Sequence, residues 1–493
     1  MNGPLRLTWV QPEDLVGHEL RQAEEDGRDP SSVRSIRTRW LAAGGHLAPD
    51  RAGASPTVPP PTLRTLAESL LDELATLPTP LRGAGNCAPS HNTPAQTPPQ
   101  PLRVSGSMGS PLLERSRELG EGEGQAPQAT ATTPHPPQEP APTPTSYPTR
   151  LHHAWLGRAT GCLLGKPVEK LPLPAIRTLA QAAGNWPLTT YFTAVGVPDA
   201  LLRAHPWNKR SAPTSLAENI DGMPEDDDLN YALLNLLLLQ RHTRDFTTHD
   251  VARLWLDELP AGRTFTAERI AYRNLLDGIE PPHTATHRNP FREWIGASIR
   301  ADMHGWTNPG DPTAAADQAH RDATLTHTGN GVYGAMFVAA AIAEAATGTV
   351  DIHHALRTGL AHVPPRSRLA DAVRLGIDTA ERHDDFDAAV DHLHAALGHH
   401  HWVHVLPNTA LLAAALTHAD GDFTHSICRA VSGGWDTDSN GATAGSLAAL
   451  VSPTPVPTRW TAPLHNRLAT SLPHLDGIGF DTLARLTHRE ATR

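Results

Sequence analysis

From about residue 149 onward the chain is rich in alanine and leucine, and its apolar residues recur at helical spacing. No run alternates apolar and polar residues as a half-buried strand must. Without that two-residue period, helices are the regular elements left to bury the apolar surface, so the expected fold is all-α. Ala335–Ala346, Ala370–Arg382, Ala388–Leu397 and Thr409–His418 each read as helices, with Pro, Gly and Asn as breaks between them. The pattern predicts one large globular helical domain over 149–493, built from roughly ten or more helices.

Two different textures precede it. Residues 83–148 are dense in Pro, Thr, Ser, Gly and Gln, with runs such as Pro98-Pro99-Gln100-Pro101, and too little apolar surface to offset ordering entropy. A disordered, partly polyproline-like linker is expected there. Residues 1–82 form a small helical segment: a helix opened by Pro12-Glu13-Asp14, another over Ser31–Leu41, and Leu63–Leu77 with an apolar stripe at Leu63, Leu66, Leu70, Leu71 and Leu74. Three such helices make a weak core alone, so they are expected to dock on the main domain, on a protein partner or on a second copy.

Composition narrows the function. A formal net charge of −11 over 493 residues argues against a nucleic-acid-binding surface. Cys87, Cys162 and Cys428 form no pairing pattern, which fits a reduced, cytoplasmic setting. The chain opens without a basic-then-apolar signal segment, and the apolar run at 229–239 is too short to span a bilayer, so no membrane association is expected.

Two acidic clusters stand out, Glu225-Asp226-Asp227-Asp228 and Asp436-Thr437-Asp438-Ser439, each followed at once by a helical apolar stretch. One carboxylate suffices to cap a helix start, and the rest repel one another unless a cation lies between them. Hard oxygen donors at this density point to a divalent ion of the Mg²⁺ or Mn²⁺ kind. Small residues follow the second cluster (Gly441, Ala442, Ala444, Gly445, Ser446), and Gly157, Gly161 and Gly165 fall four apart just before Glu169. Both stripes allow close helix approach, which two distant clusters need if they are to share a metal.

These pieces, in this order, resemble the ADP-ribosylglycohydrolase family, the dinitrogenase-reductase-activating and ADP-ribosyl-acceptor hydrolases. The similarity runs through Trp294-Ile295-Gly296, Asn308-Pro309-Gly310-Asp311-Pro312, Thr326-His327 and Asn330-Gly331-Val332-Tyr333-Gly334, and covers most of residues 150–452. It implies an all-α globule with two Mg²⁺ ions, or Mn²⁺ in their place, in a central cleft. Asp226 and Asp227 match the first ligand motif of the family. Glu225 and Asp228 replace its flanking threonines, with Glu225 still able to offer an oxygen on a longer, charged arm. Asp436, Asp438 and Ser439 match the second motif, and Glu169 matches a glutamate position beside the metals. Gly331, Tyr333, Gly334 and His327 fall in the region that resembles the substrate loops of the family.

The resemblance further implies hydrolysis of the glycosidic bond between ADP-ribose and an acceptor, on a protein side chain or a small molecule. Cleavage at ribose C1 builds oxocarbenium character, and Asp227, Asp438 or Glu169 is expected to carry the proton. Two alternatives stay open: another ribosyl or nucleotide-derived substrate, and a catalytically silent ADP-ribose-binding protein. His399-His400-His401 and His353-His354 invite a zinc reading, but no cysteine or glutamate stands at ligand spacing beside them.

Overall fold

The structure, a computed structural model, describes residues 10–48, 58–79 and 146–493. Among the described residues there are twenty-one α-helices with short 3₁₀ turns between them and no strand. Extended pairing is confined there to isolated bridges, one of them between Trp294 and His404. The expected linker falls, up to residue 145, outside the described residues.

The helices read from apolar periodicity are present, but several begin earlier than that periodicity does. Thr328 precedes a helix over Gly329–Ala345, and Ser367 caps Arg368–Arg382 by accepting the Ala370 N–H. Asp385 likewise caps Phe386–Leu397 through the Asp387 N–H. Capping side chains, rather than the first buried residue, fix where each helix starts. Asn330 to Gly334 therefore form the first turns of a helix.

The centre of the domain is a contact between two glycine-bearing helices, α4 (Tyr147–Gly165) and the Thr437–Val451 helix. A Cβ on Gly161 would lie 1.9 Å from the Gly441 carbonyl oxygen, and one on Gly441 would lie 2.2 Å from the Gly161 carbonyl oxygen. Gly157 and Gly445 face each other in the same way, at 2.2 and 2.0 Å. One turn further on, a Cβ on Gly165 would meet the Thr437 backbone at 2.3 Å, and Thr437 Oγ1 donates to the Gly165 carbonyl at 2.8 Å. Backbone against backbone, these contacts fix the register of the two helices to within a residue.

The N-terminal helices α1 (Pro12–Glu25), α2 (Pro30–Ala42) and α3 (Pro61–Thr76) belong to the same compact unit as residues 146–493. Their apolar faces are covered: Leu15, Val16, Leu20, Ile36, Trp40 and Leu74 are all fully buried. Charged side chains hold α1 to the main body. Arg292, itself buried, reaches Glu19 at 2.8 Å and Asp26 at 2.6 Å. Glu25 lies 2.9 Å from His404 and 3.4 Å from His400. His18 sets its ring edge-on to Phe291 and Trp294, and Trp294 stacks on His401 at 4.2 Å. Of the three docking targets read from the sequence, the structure shows the first, the main domain.

Candidate active site

Three chain segments converge where α4 ends. The Asp227–His242 helix is capped by Asp226, whose Oδ1 accepts the Asp228 N–H at 2.9 Å. Asp436 occupies the equivalent position before the Thr437–Val451 helix, but its carboxylate makes no capping bond. The preceding turn is sharp: Gly434 has φ +79° and Trp435 φ +57°. A bulky side chain is uncommon in that region, and here its ring is clamped flat against His394, 3.9 Å between centroids. His394 Nε2 donates to the Gly433 carbonyl at 2.8 Å. Asn408 completes the loop from below, its Oδ1 accepting the Asp436 N–H at 3.0 Å and the Asn440 amide at 2.8 Å.

The carboxylates brought together are Glu169, Asp226, Asp227, Asp228, Asp436 and Asp438, each raising or lowering the charge state of the others. Glu225 is not among them. Its Oε1 accepts from Asn230 at 2.9 Å and its Oε2 pairs with Arg263 at 3.1 Å. Ser439 is present, but its hydroxyl donates to Asp228 Oδ2 at 3.2 Å. Glu169 stands at the rim, accepting from Asn208 at 2.7 Å and pairing with Lys170 at 2.7 Å.

Charge divides the cluster into two halves. Asp226 is held below the usual carboxylate range: burial alone would raise it, but the adjacent Lys166 ammonium and hydrogen bond prevail. Asp228 rises through burial despite Arg158, whose guanidinium lies 3.1 Å from it and 2.9 Å from Asp302. Among the described residues Asp227 and Asp436 make no ion pair, although Asp436 lies within the field of Lys170. Burial and then neighbouring carboxylates push both well above the ordinary value, and Asp438 is pushed up to about 7 for the same reasons. Among the described residues no donor side chain satisfies the Asp227 carboxylate, which is partly open to the cleft. Cys162 Sγ and a carboxylate oxygen each from Asp226 and Asp228 all lie within 4.8 Å of one another.

The remaining residues singled out in the sequence have neighbours of their own. His327 is buried, with Nδ1 2.6 Å from Thr326 Oγ1, and burial followed by the nearby Arg300 charge keeps it neutral. A Cβ on Gly331 would sit 2.6 Å from the Arg292 carbonyl, and one on Gly334 would sit 2.6 Å from Ser298 Oγ and Val405 Cγ2, so both glycines serve close packing. Tyr333 is half-buried against the apolar core. His400 and His404 do meet a glutamate, Glu25 of α1, which sequence spacing had no means of showing. His404 Nδ1 accepts the Leu406 N–H at 3.2 Å, which leaves the ring proton on Nε2, facing the Glu25 carboxylate at 2.9 Å. Lys166, Arg158 and Asn408 were not read from the sequence as site residues. Lys166 carried the one available signal, being one of three lysines in the chain and standing directly after the glycine stripe.

The ADP-ribosylglycohydrolase family model matches residues 143–492, and the chain belongs to that family. No curated protein matched it. A solved structure described as an ADP-ribosylglycohydrolase-related protein complex is similar at 20% identity and TM-score 0.44, covering 70% of this chain and 99% of its own. The chain is accordingly a hydrolase of ADP-ribose linkages. No helix among the described residues is long and apolar enough to cross a membrane.

The crowding predicts an inverted pH dependence of stability. Asp438 titrates near 7 when folded and near the ordinary carboxylate value when unfolded. Its contribution is fully present below the unfolded value and is lost as pH rises through about 7. In chelator, the protein is expected to lose stability from pH 5 to pH 8, on the order of a few kcal/mol at most, and its melting temperature to fall accordingly. Added Mg²⁺ restores it at pH 8 and does little at pH 5, as differential scanning fluorimetry would read.

Proposed function

We propose that this protein is a divalent-metal-dependent hydrolase that cleaves the bond between ribose C1 of ADP-ribose and an acceptor. The observation that carries the reading is the convergence of Asp226, Asp227, Asp228, Asp436 and Asp438 at two helix starts, a carboxylate cluster crowded enough to push Asp227 and Asp436 well above the ordinary range. A Mg²⁺ or Mn²⁺ ion held there would supply a Lewis acid for vicinal ribose hydroxyls and for a water. The chain's own residues then divide the work. Lys166 and Arg158 fix Asp226 and Asp228 as a rigid rear wall. Glu169, engaged by Asn208 and Lys170, positions the rim. Asp227 and Asp438 are left as the carboxylates free to accept a proton from the attacking water.

The test is release of free ADP-ribose from ADP-ribosyl-arginine and ADP-ribosyl-serine peptides, with Mg²⁺ and with chelator. Chelator-sensitive release from either peptide is expected, and it names the acceptor. Absence of release from both by folded, metal-loaded protein would shift the reading to another ribosyl substrate, or to binding without turnover.

A further inference from the structure

We infer that Glu25, His400 and His404 form a zinc site that fastens helix α1 to the main body and uses none of the clustered carboxylates. The glutamate that sequence spacing does not supply beside these histidines comes from the far end of the chain, and one donor atom of each residue lies within 4.8 Å of the other two. His404 Nε2 is 2.9 Å from Glu25 Oε2, and His400 Nδ1 is 3.4 Å from Glu25 Oε1. Buried polar atoms this close are normally hydrogen-bonded. These are not: among the described residues Glu25 Oε2, His400 Nδ1 and His404 Nε2 are all buried without a hydrogen-bond partner. Two rings and a carboxylate that converge while missing one another's hydrogen-bond geometry are arranged around a common centre. Ligands about 2.1 Å from a tetrahedral ion stand about 3.4 Å from one another. The His400 contact has that spacing, and the His404 contact approaches it.

The donors are held in place from both sides. Glu25 ends α1, whose Glu19 and following Asp26 are tied to Arg292. His404 caps the Val405–Ala419 helix, and the backbone on either side of it is pinned: the Val403 carbonyl accepts the Ile295 N–H at 3.0 Å, and the Val405 N–H donates to the Glu293 carbonyl at 3.2 Å. His404 and His400 expose 1% and 7% of their side chains and Glu25 12%, so water screens the point between them little. α1 also closes on Glu24 and Glu25 with no basic residue in its last turn, where the helix dipole favours a cation. Two imidazoles and one carboxylate make the mixed nitrogen and oxygen set that suits Zn²⁺, with a fourth position left to water. Mg²⁺ prefers oxygen donors alone, so this site does not compete for it. Without metal the His404 proton faces Glu25; binding through Nε2 moves it to Nδ1 and gives up the Leu406 N–H, a contact already long at 3.2 Å.

The full chain, stripped of metal and titrated with Zn²⁺ in excess Mg²⁺, tests this by X-ray absorption at the zinc edge and by competition with a coloured chelator. One Zn²⁺ per chain, bound through two imidazoles, is expected; the carboxylate cluster contains no histidine and cannot give that signature. Glu25→Gln and His404→Asn, the latter keeping a helix-capping side chain, should each weaken Zn²⁺ binding by more than ~10²-fold, beyond what loss of a merely supporting residue costs. Asp438→Asn should leave it unchanged. No bound zinc, zinc held by oxygen alone, or an affinity that neither variant lowers would overturn the assignment. So would binding lost in Asp438→Asn, which would return the ion to the carboxylate cluster. The zinc-edge spectrum of the unaltered chain decides the matter even if a variant does not fold, and its failure would leave the proposed hydrolase reading as it stands.

Discussion

Asp438→Asn is expected to lower ADP-ribose release by at least ~10³-fold while making the metal-free protein more stable above pH 7. The first half follows from removing a charged oxygen from the carboxylate cluster proposed to hold the cation, an effect worth about 4 kcal/mol of transition-state stabilisation. The second half follows from relief of repulsion, since Asp438 is raised to about 7 by burial and by Glu169 and Asp226. Asparagine keeps the shape and leaves the Ser439 N–H, 3.2 Å from Asp438 Oδ1, with an acceptor. The opposed signs are what make the test sharp. A variant that merely misfolded would lose both activity and melting temperature, whereas the site assigned here predicts loss of one and gain of the other. Steady-state rates and melting curves at pH 8 in chelator read the two halves separately. Unchanged activity would remove Asp438 from the site.

The second large effect is predicted at Gly161. Gly161→Val has no room: even its Cβ would fall 1.9 Å from a carbonyl oxygen on a helix that is itself glycine at the contact. Neither backbone can yield without parting α4 from the Thr437–Val451 helix. A loss of at least about 3 kcal/mol is expected, at the upper end of what overpacking costs. Gly262→Ala, at a glycine with open space around it, is the matched control and should be nearly neutral. Chemical denaturation of the two variants compares them directly. Because α4 delivers Lys166 and Glu169 while its partner delivers Asp436 and Asp438, Gly161→Val should also abolish Mn²⁺ binding in whatever fraction remains folded.

Much of this was legible in the chain before any coordinates. The missing two-residue period gave the all-α class, and the paired stripes of small residues announced the helix contact that brings the acidic clusters together. Asp226, Asp227, Asp228, Asp436 and Asp438 converge because each sits at a helix start, a position that short-range pattern reveals. What sequence did not reveal was the direction of side chains. Glu225, adjacent to Asp226, turns to Arg263 and Asn230, because the N-cap residue is where the backbone changes course. Likewise Lys166 and Arg158 are ordinary surface residue types in composition, and only tertiary structure puts both within reach of carboxylates from the Asp227–His242 helix. The glycines at 331 and 334 were read toward phosphate, whereas their immediate neighbours are a backbone carbonyl and packed side chains.

The ion pairs between α1 and the main body join two parts of a single chain, on either side of residues 80–145. Their association is a first-order event, so the fraction docked is independent of protein concentration and dilution does not loosen it. Charge does. The contacts depend on Glu19, Asp26 and Glu25 remaining ionised opposite Arg292 and His404, and His404 opens the helix whose Asn408 supports the Asp436 backbone. The three N-terminal helices therefore act on the carboxylate cluster as a brace whose tension is set by acidity and ionic strength, and not by how much protein the cell contains.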